Sequence, residues 1–155
     1  MDEKKLRECF GLFTTGITIA STNFENKSYG MTINSFASVS LEPPLLLFSI
    51  ANSSSNLEAF LKASNFIINV LSAQQLVLAQ EFSRPQNDKK WQNEKVHFTK
   101  LGNMIFENSL GFFECQTHDI IKAGDHHIII GKIIDLAKLS QARPLLYFGG
   151  EFSEI

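Results

Sequence analysis

Short runs of β-branched and apolar residues bounded by turn chemistry recur along this chain, and three short stretches switch to helical spacing. Leu6, Cys9, Phe10 and Phe13 recur at helical intervals with Lys and Glu between them, which predicts a short amphipathic helix over 3–13. Residues 16–22 mix β-branched and small side chains and read as a strand; 23–28 supply turn chemistry, and 29–36 return as its partner. Pro43-Pro44 interrupts pairing, and the nearly unbroken apolar run 45–50 predicts a strand buried on both faces. Ser55-Asn-Leu-Glu58 and Ser72-Ala-Gln-Gln75 have capping-box spacing ahead of apolar residues, so two more helices start there, with a strand at 65–71 between them. Residues 83–100 are polar, with one Pro and the lone Trp91, and read as a long loop or lid. Strands follow at about 104–107, 110–118, 126–136 and 145–148. No repeat, low-complexity tract or linker divides the chain. The expectation is one domain over 1–155, mainly β with a few helices, its strands in meander order as in a small antiparallel barrel.

Composition narrows the class. At 155 residues one domain buries a real core without staples. Fourteen Phe against two Tyr and one Trp argue for an aromatic interior or a subunit interface. A net charge of −2 and a pI near 6.1 provide no field to attract nucleic acid or an anionic membrane, so neither is expected as a partner. Cys9 and Cys115 match no metal or redox spacing; both are expected to be buried, inert thiols. The mixed-charge start resembles no secretory leader and the apolar runs are too short to span a bilayer, which points to the cytoplasm.

The segment 30–51 carries the candidate chemistry. Thr32, Asn34, Ser35, Ser38 and Ser40 give it many hydrogen-bonding groups and no charge. Two readings stand: the solvated face of an antiparallel sheet, or the lining for a flat, neutral, heteroatom-rich ring. Asn52-Ser-Ser-Ser-Asn56, just ahead of a predicted helix, is either an N-cap or a cradle for an anion. Arg84, in Phe82-Ser83-Arg84, either caps a helix C-terminus or meets a phosphate. Lys89-Lys90-Trp91 is a solvated charge run with a docking Trp, or a cover over a ring; residues 144–150 are a terminal strand or a lip over the site. His126 and His127 lack a third ligand at useful spacing, and no metal is expected. No nucleophile elbow, Walker loop, Cys-x-x-Cys or G-x-G-x-x-G occurs, so a hydrolase or phosphotransferase has no motif here, and nicotinamide binding by a Rossmann domain is excluded.

Four blocks in order resemble the flavin reductase-like family of FMN-binding split β-barrels: Gly-Met-Thr-Ile-Asn-Ser-Phe-Ala-Ser-Val-Ser-Leu-Glu-Pro-Pro-Leu (30–45), Lys90-Trp91, Gly-Asp-His-His-Ile (124–128) and Pro-Leu-Leu-Tyr-Phe-Gly-Gly-Glu-Phe (144–152). The resemblance covers essentially the whole chain. It implies a homodimer holding FMN, or FAD, at the subunit interface, and often a partner flavin-dependent monooxygenase that receives reduced flavin. It also implies hydride transfer from NADH or NADPH to the flavin. Thr32, Asn34, Ser35 and Phe36 would then line the isoalloxazine ring, and Ser38, Val39 and Ser40 would continue the contact. Asn52, Ser53, Ser54 and Ser55 would hold the ribityl phosphate, while Phe82, Ser83, Lys90 and Trp91 would close the other side. His126 would take the catalytic position as a group that positions nicotinamide, with Tyr147 at the same mouth.

One departure stands out. Many members of that family carry a basic residue after the Tyr–aromatic pair, where this chain has Gly149-Gly150. A missing charge there is expected either to weaken pyridine-nucleotide binding or to shift its preference, and Glu151 disfavours a 2′-phosphate, which leans towards NADH. The departure also keeps open a flavin-binding carrier or redox sensor without turnover. A split barrel for pyridoxal phosphate is a further alternative, against which the Asn-Ser-Phe block argues.

Overall fold

The computed structural model describes residues 1–92 and 94–154. After helix α1 (Glu3–Gly11) the chain forms β1 (Thr15–Gly16), β2 (Thr18–Phe24), β3 (Lys27–Ile33), β4 (Ala37–Leu41) and β5 (Pro44–Ala51). Helix α2 (Leu57–Lys62), β6 (Asn65–Val70) and α3 (Leu76–Phe82) follow, then β7 (Val96–Phe98), β8 (Met104–Phe106), β9 (Gly111–Ala123), β10 (His126–Lys138), β11 (Leu145–Phe148) and β12 (Glu151–Glu154). The mainly β expectation is borne out.

Seven strands form one sheet in the order β3-β2-β6-β9-β10-β5-β4, with every neighbouring pair antiparallel. Its two edges, β3 and β4, are joined by residues 34–36 alone. Six inter-strand spacings across a flat sheet need roughly 29 Å, whereas the four steps from Ile33 to Ala37 reach about 14 Å at most. The sheet therefore curls until its edges meet along a seam. Ser35 stitches that seam: its hydroxyl donates to Ser49 O (3.1 Å) and accepts from Ser49 N (3.0 Å) on β5. A short hairpin, β11–β12, pairs with β1, and β7–β8 form a separate two-stranded ladder.

Two aromatic clusters fill the interior. Phe48, Phe60 and Phe66 meet edge to face at the centre of one. Phe82 and Phe106 anchor the other, with Trp91 set edge-on to Phe82 and stacked along Phe106. The abundance of Phe is mostly interior packing.

Four local expectations are corrected. β5 is not buried on both faces: Leu46, Phe48 and Ile50 are buried and Leu45, Leu47 and Ser49 only half-buried, because one face of the curled sheet looks outward. The capping box at Ser55 does not form; α2 has Asn56 as N-cap, and Ser55 Oγ instead accepts from Gln86 N (3.0 Å). Gln75, by contrast, does reach back to accept from Ser72 N (2.9 Å). The stretch 83–100 is no open lid: it contains a 3₁₀ turn at Asp88–Trp91 and strand β7. Cys115 is buried as expected, but Cys9 is exposed, since no residue of α1 is buried.

The Gly149-Gly150 pair has a backbone reason. It forms the two-residue loop between Phe148 and Glu151, with φ of 61° and 91°. Positive φ at both central positions is the signature of a type I′ hairpin turn, which a β-carbon disfavours.

Candidate functional site

A groove of about 470 Å³ opens beside the seam. Its floor is the end of β3 (Met31, Thr32, Ile33) with Asn34 and Ser35; one side is Ser49, Ala51 and the run 53–56, and the other is the segment 82–85 after α3. His126, first residue of β10, completes the lining, because β10 pairs with β5 in the register His126↔Ala51. A second hollow of about 420 Å³ shares Thr32, Ile33, Asn34 and Ser83 and adds Ile17, Tyr147, Gly150 and Phe152. The two form one continuous depression.

Most of the hydroxyls expected to face a ligand bond to the protein instead. Thr32 Oγ1 and Ser83 Oγ both donate to Ala79 O (2.7 and 2.8 Å); the first ties α3 to the edge strand β3 and the second closes the end of α3. Ser35 bridges to Ser49, and Ser54 Oγ donates to Met31 Sδ (3.7 Å) while accepting from Asn56 N (3.2 Å). Among the described residues, Asn34 and Ser53 have no side-chain hydrogen bond, and the Ser55 O–H is still a free donor. The groove thus offers one neutral amide, two serine hydroxyls, Arg84 and His126.

The imidazole of His126 is oriented by its neighbour. Asp125 Oδ1 lies 2.8 Å from Nδ1. A carboxylate only accepts, so Nδ1 carries the proton and Nε2 is the acceptor of the neutral ring. The hydrogen bond from His126, and then its charge when protonated, hold the Asp125 carboxyl below its ordinary range. His127 Nδ1 lies 2.8 Å from Asn52 Oδ1, while Asn52 N donates to Asp125 O (2.8 Å). Asn52 therefore locks the serine run to the β9–β10 turn and is not itself part of the lining.

Several other expected lining residues stand elsewhere in the chain. Phe36 stacks on Phe113 (5.7 Å between centroids) and packs against the first core cluster. Ser38, Val39 and Ser40 lie on β4, at the sheet's edge, where Val39 is the extra residue of a bulge. Phe82 is fully buried and backs the groove from beneath. Lys90 is not a solvated charge: it is 5% exposed, and its Nζ donates to Gly30 O (3.1 Å) and Arg84 O (3.3 Å) above the Phe82 ring. Burial pushes its pKa down, partly opposed by Glu81. Trp91 lies against Gly30, where a β-carbon would come within 2.8 Å of its ring. Lys90 and Trp91 are the scaffold under the groove. Their pattern, a charge run with a lone Trp, did not distinguish covering from supporting.

Sequence reasoning assigned no role to Met31 and Ser49, whose apolar and strand contexts concealed them, and singled out Asn56 only as the end of the serine run. No cluster of three metal-ligating side chains occurs among the described residues.

Comparison with known proteins places this geometry. Residues 10–155 match the family model described as the flavin reductase like domain. The chain is 44% identical over 133 residues to a probable flavin reductase of Rhizobium meliloti (strain 1021), covering 85% of this chain and 42% of that protein. It is 40% identical over 151 residues to the FMN reductase (NADH) SmoA of Agrobacterium fabrum, covering 97% of this chain and 85% of that one. An NADH:FAD oxidoreductase of Streptomyces globisporus, solved with NAD and FAD fragments, superimposes with a TM-score of 0.94 at 29% identity, over 99% of this chain and 93% of that one. The chain thus spans less than half the length of the first relative and most of the other two. On its near-complete match to the family model, its relatives and its fold, the chain belongs to the flavin reductase-like domain family.

Proposed function

We propose that this chain is an NAD(P)H-dependent flavin reductase that passes hydride from a nicotinamide to FMN, or FAD, and works as a cytoplasmic homodimeric split barrel. The observation that carries this reading is the groove itself: a neutral polar floor, a serine run with Arg84 at one side, and His126 at another. Its size and its mix of one amide, hydroxyls and a single guanidinium suit a flavin with one phosphate. A bound flavin supplies the redox chemistry, accepting a hydride at its ring.

The chain's own residues have the positioning roles. Asn34, with the backbone of Thr32 and Ser35, holds the ring; Ser53 and Ser55 with Arg84 hold the phosphate. His126, set by Asp125, and Tyr147 of the adjoining hollow orient the nicotinamide. Stacking two rings in contact is an entropic gain and needs no general acid. Ser38, Val39 and Ser40 belong to the subunit interface, supported by the exposed apolar residues of α1 and of the β4 corner. Reduced flavin passing to a partner monooxygenase agrees with relatives named as reductase components of such enzymes. The carrier or sensor alternative rested on Gly149-Gly150, and turn geometry gives that pair a backbone reason of its own.

The test is anaerobic stopped flow of the protein and FMN against NADH, followed at the flavin absorbance band. Bleaching far faster than in the protein-free mixture is the expected result. Flavin that binds and stays oxidised would overturn the reductase reading.

A further inference from the structure

Arg84 is the one permanently charged cation among the described residues lining the groove, and it is already engaged. Its Nη1 donates to both oxygens of Glu81, at 2.8 and 3.2 Å. Glu81 stands one turn back, on α3, at i−3, so helix geometry holds the carboxylate beside the guanidinium. The serine run lies directly against the same segment, because Gln86 N donates to Ser55 Oγ. Any anion seated between Ser53, Ser55 and Arg84 meets a guanidinium shared with Glu81.

We propose that Glu81 is a built-in competitor for the anionic end of the flavin, setting how tightly this site holds a phosphorylated flavin relative to an unphosphorylated one. The inference rests on the flavin-reductase reading and deepens it. A phosphate must take the Arg84 guanidinium from Glu81, and giving up that ion pair weakens binding. The pair is 68% and 40% exposed, so the effect is moderate and not prohibitive. The Glu81 charge acts on more than Arg84: it partly supports the buried Lys90 ammonium and adds to the upward push on the Glu94 carboxyl. Its consequence is an exchangeable flavin. A site whose one cation is half-neutralised releases FMN readily, as an enzyme must when reduced flavin is its product.

The experiment is a fluorescence-quenching titration with FMN and with riboflavin, on wild type, Glu81→Gln, Arg84→Gln and the double variant, at low salt and at high salt. Glu81→Gln should tighten FMN about fivefold at low salt and leave riboflavin unchanged, a size in keeping with an exposed ion pair. Screening at about 1 M salt should erase most of the difference. Arg84→Gln should weaken FMN, and adding Glu81→Gln to it should bring no recovery. Tightening equal for both flavins, tightening that persists without Arg84, or no change for FMN in a folded Glu81→Gln protein would each overturn the proposal. Failure of both flavins to bind wild type would instead overturn the flavin-reductase reading, and this inference with it.

Discussion

Thr32, Ser35, Ser54 and Ser83 all direct their hydroxyls into the protein, which leaves Asn34 as the one uncommitted amide on the groove floor. An amide both donates and accepts, matching the alternating groups along a flavin edge; a carboxylate only accepts and brings charge. Asn34→Asp should therefore weaken FMN binding by about five- to a hundredfold, in line with one mispaired hydrogen bond of about 1–3 kcal/mol, as read by flavin fluorescence. Unchanged affinity would mean that the floor is not the flavin's bed. The two cysteines differ as sharply. Burial, and then the nearby Glu114, push the Cys115 thiol up to about 12, whereas Cys9 is exposed. A chromogenic disulfide should react promptly with one thiol in the native protein and with two after unfolding. Because the folded thiol keeps its proton where the unfolded one loses it, the native state binds more protons above about pH 9. Its stability contribution is complete below that pH and is lost as pH rises towards 12, by at most about 1.4 kcal/mol per pH unit. Urea midpoints of wild type should thus fall more steeply above pH 9 than those of Cys115→Ala.

At the scale of elements, β-branched and apolar runs bounded by turn residues predicted most strands, because such side chains fit a pleated, half-buried surface whatever their partners. What it missed depended on partners distant in sequence. β12 became a strand by pairing with β11 across a two-glycine turn, and β7 by pairing with β8, out of a stretch with no apolar pattern of its own. The box at Ser55 failed although its spacing matched, because Gln86, thirty-one residues on, took the serine hydroxyl. In the site, the residue types were legible and their directions were not. A serine on a strand reads the same whether it faces a ligand or staples two strands. β10 shows how close approach fixes an element. At Gly131, beside a bulge in the β9 ladder, a β-carbon would come within 2.4 Å of Phe66 and 2.7 Å of the Cys115 β-carbon. Both neighbours are buried, so the clash has no flexible outlet. Gly131→Ala should cost about 1–3 kcal/mol, seen as a lower urea midpoint at an unchanged slope.

For the molecule as a whole, the curl that joins β3 to β4 creates the groove, while large apolar side chains stay uncovered at the end of α1 and at the β4 corner. Phe10, Leu12 and Phe13 at the end of α1 are 70%, 71% and 79% exposed, and Leu41 beside the Glu42-Pro43 corner is 94% exposed. Four large apolar side chains this bare are unusual on a monomer's surface, and they lie outside both core clusters. The amphipathic character of α1 was legible in its Leu6, Cys9, Phe10 and Phe13 spacing, but the spacing did not say what its apolar face meets, and no residue of the helix is buried. A second copy is the occupant that agrees with the proposed homodimer, whose interface should bury on the order of 1,600 Å² or more. Light scattering should then give about twice the 17.4 kDa chain mass. Phe13→Asp places a charge on this face without disturbing any buried contact, since Phe13 makes none in the core clusters. That variant should shift the protein to a monomer at micromolar concentration while leaving its circular dichroism unchanged. If flavin affinity falls together with the dimer, the groove is completed across the interface; if affinity survives in the monomer, the lining within one chain is sufficient. A wild type that is already monomeric would remove the dimer from the model and leave the exposed phenylalanines for another partner.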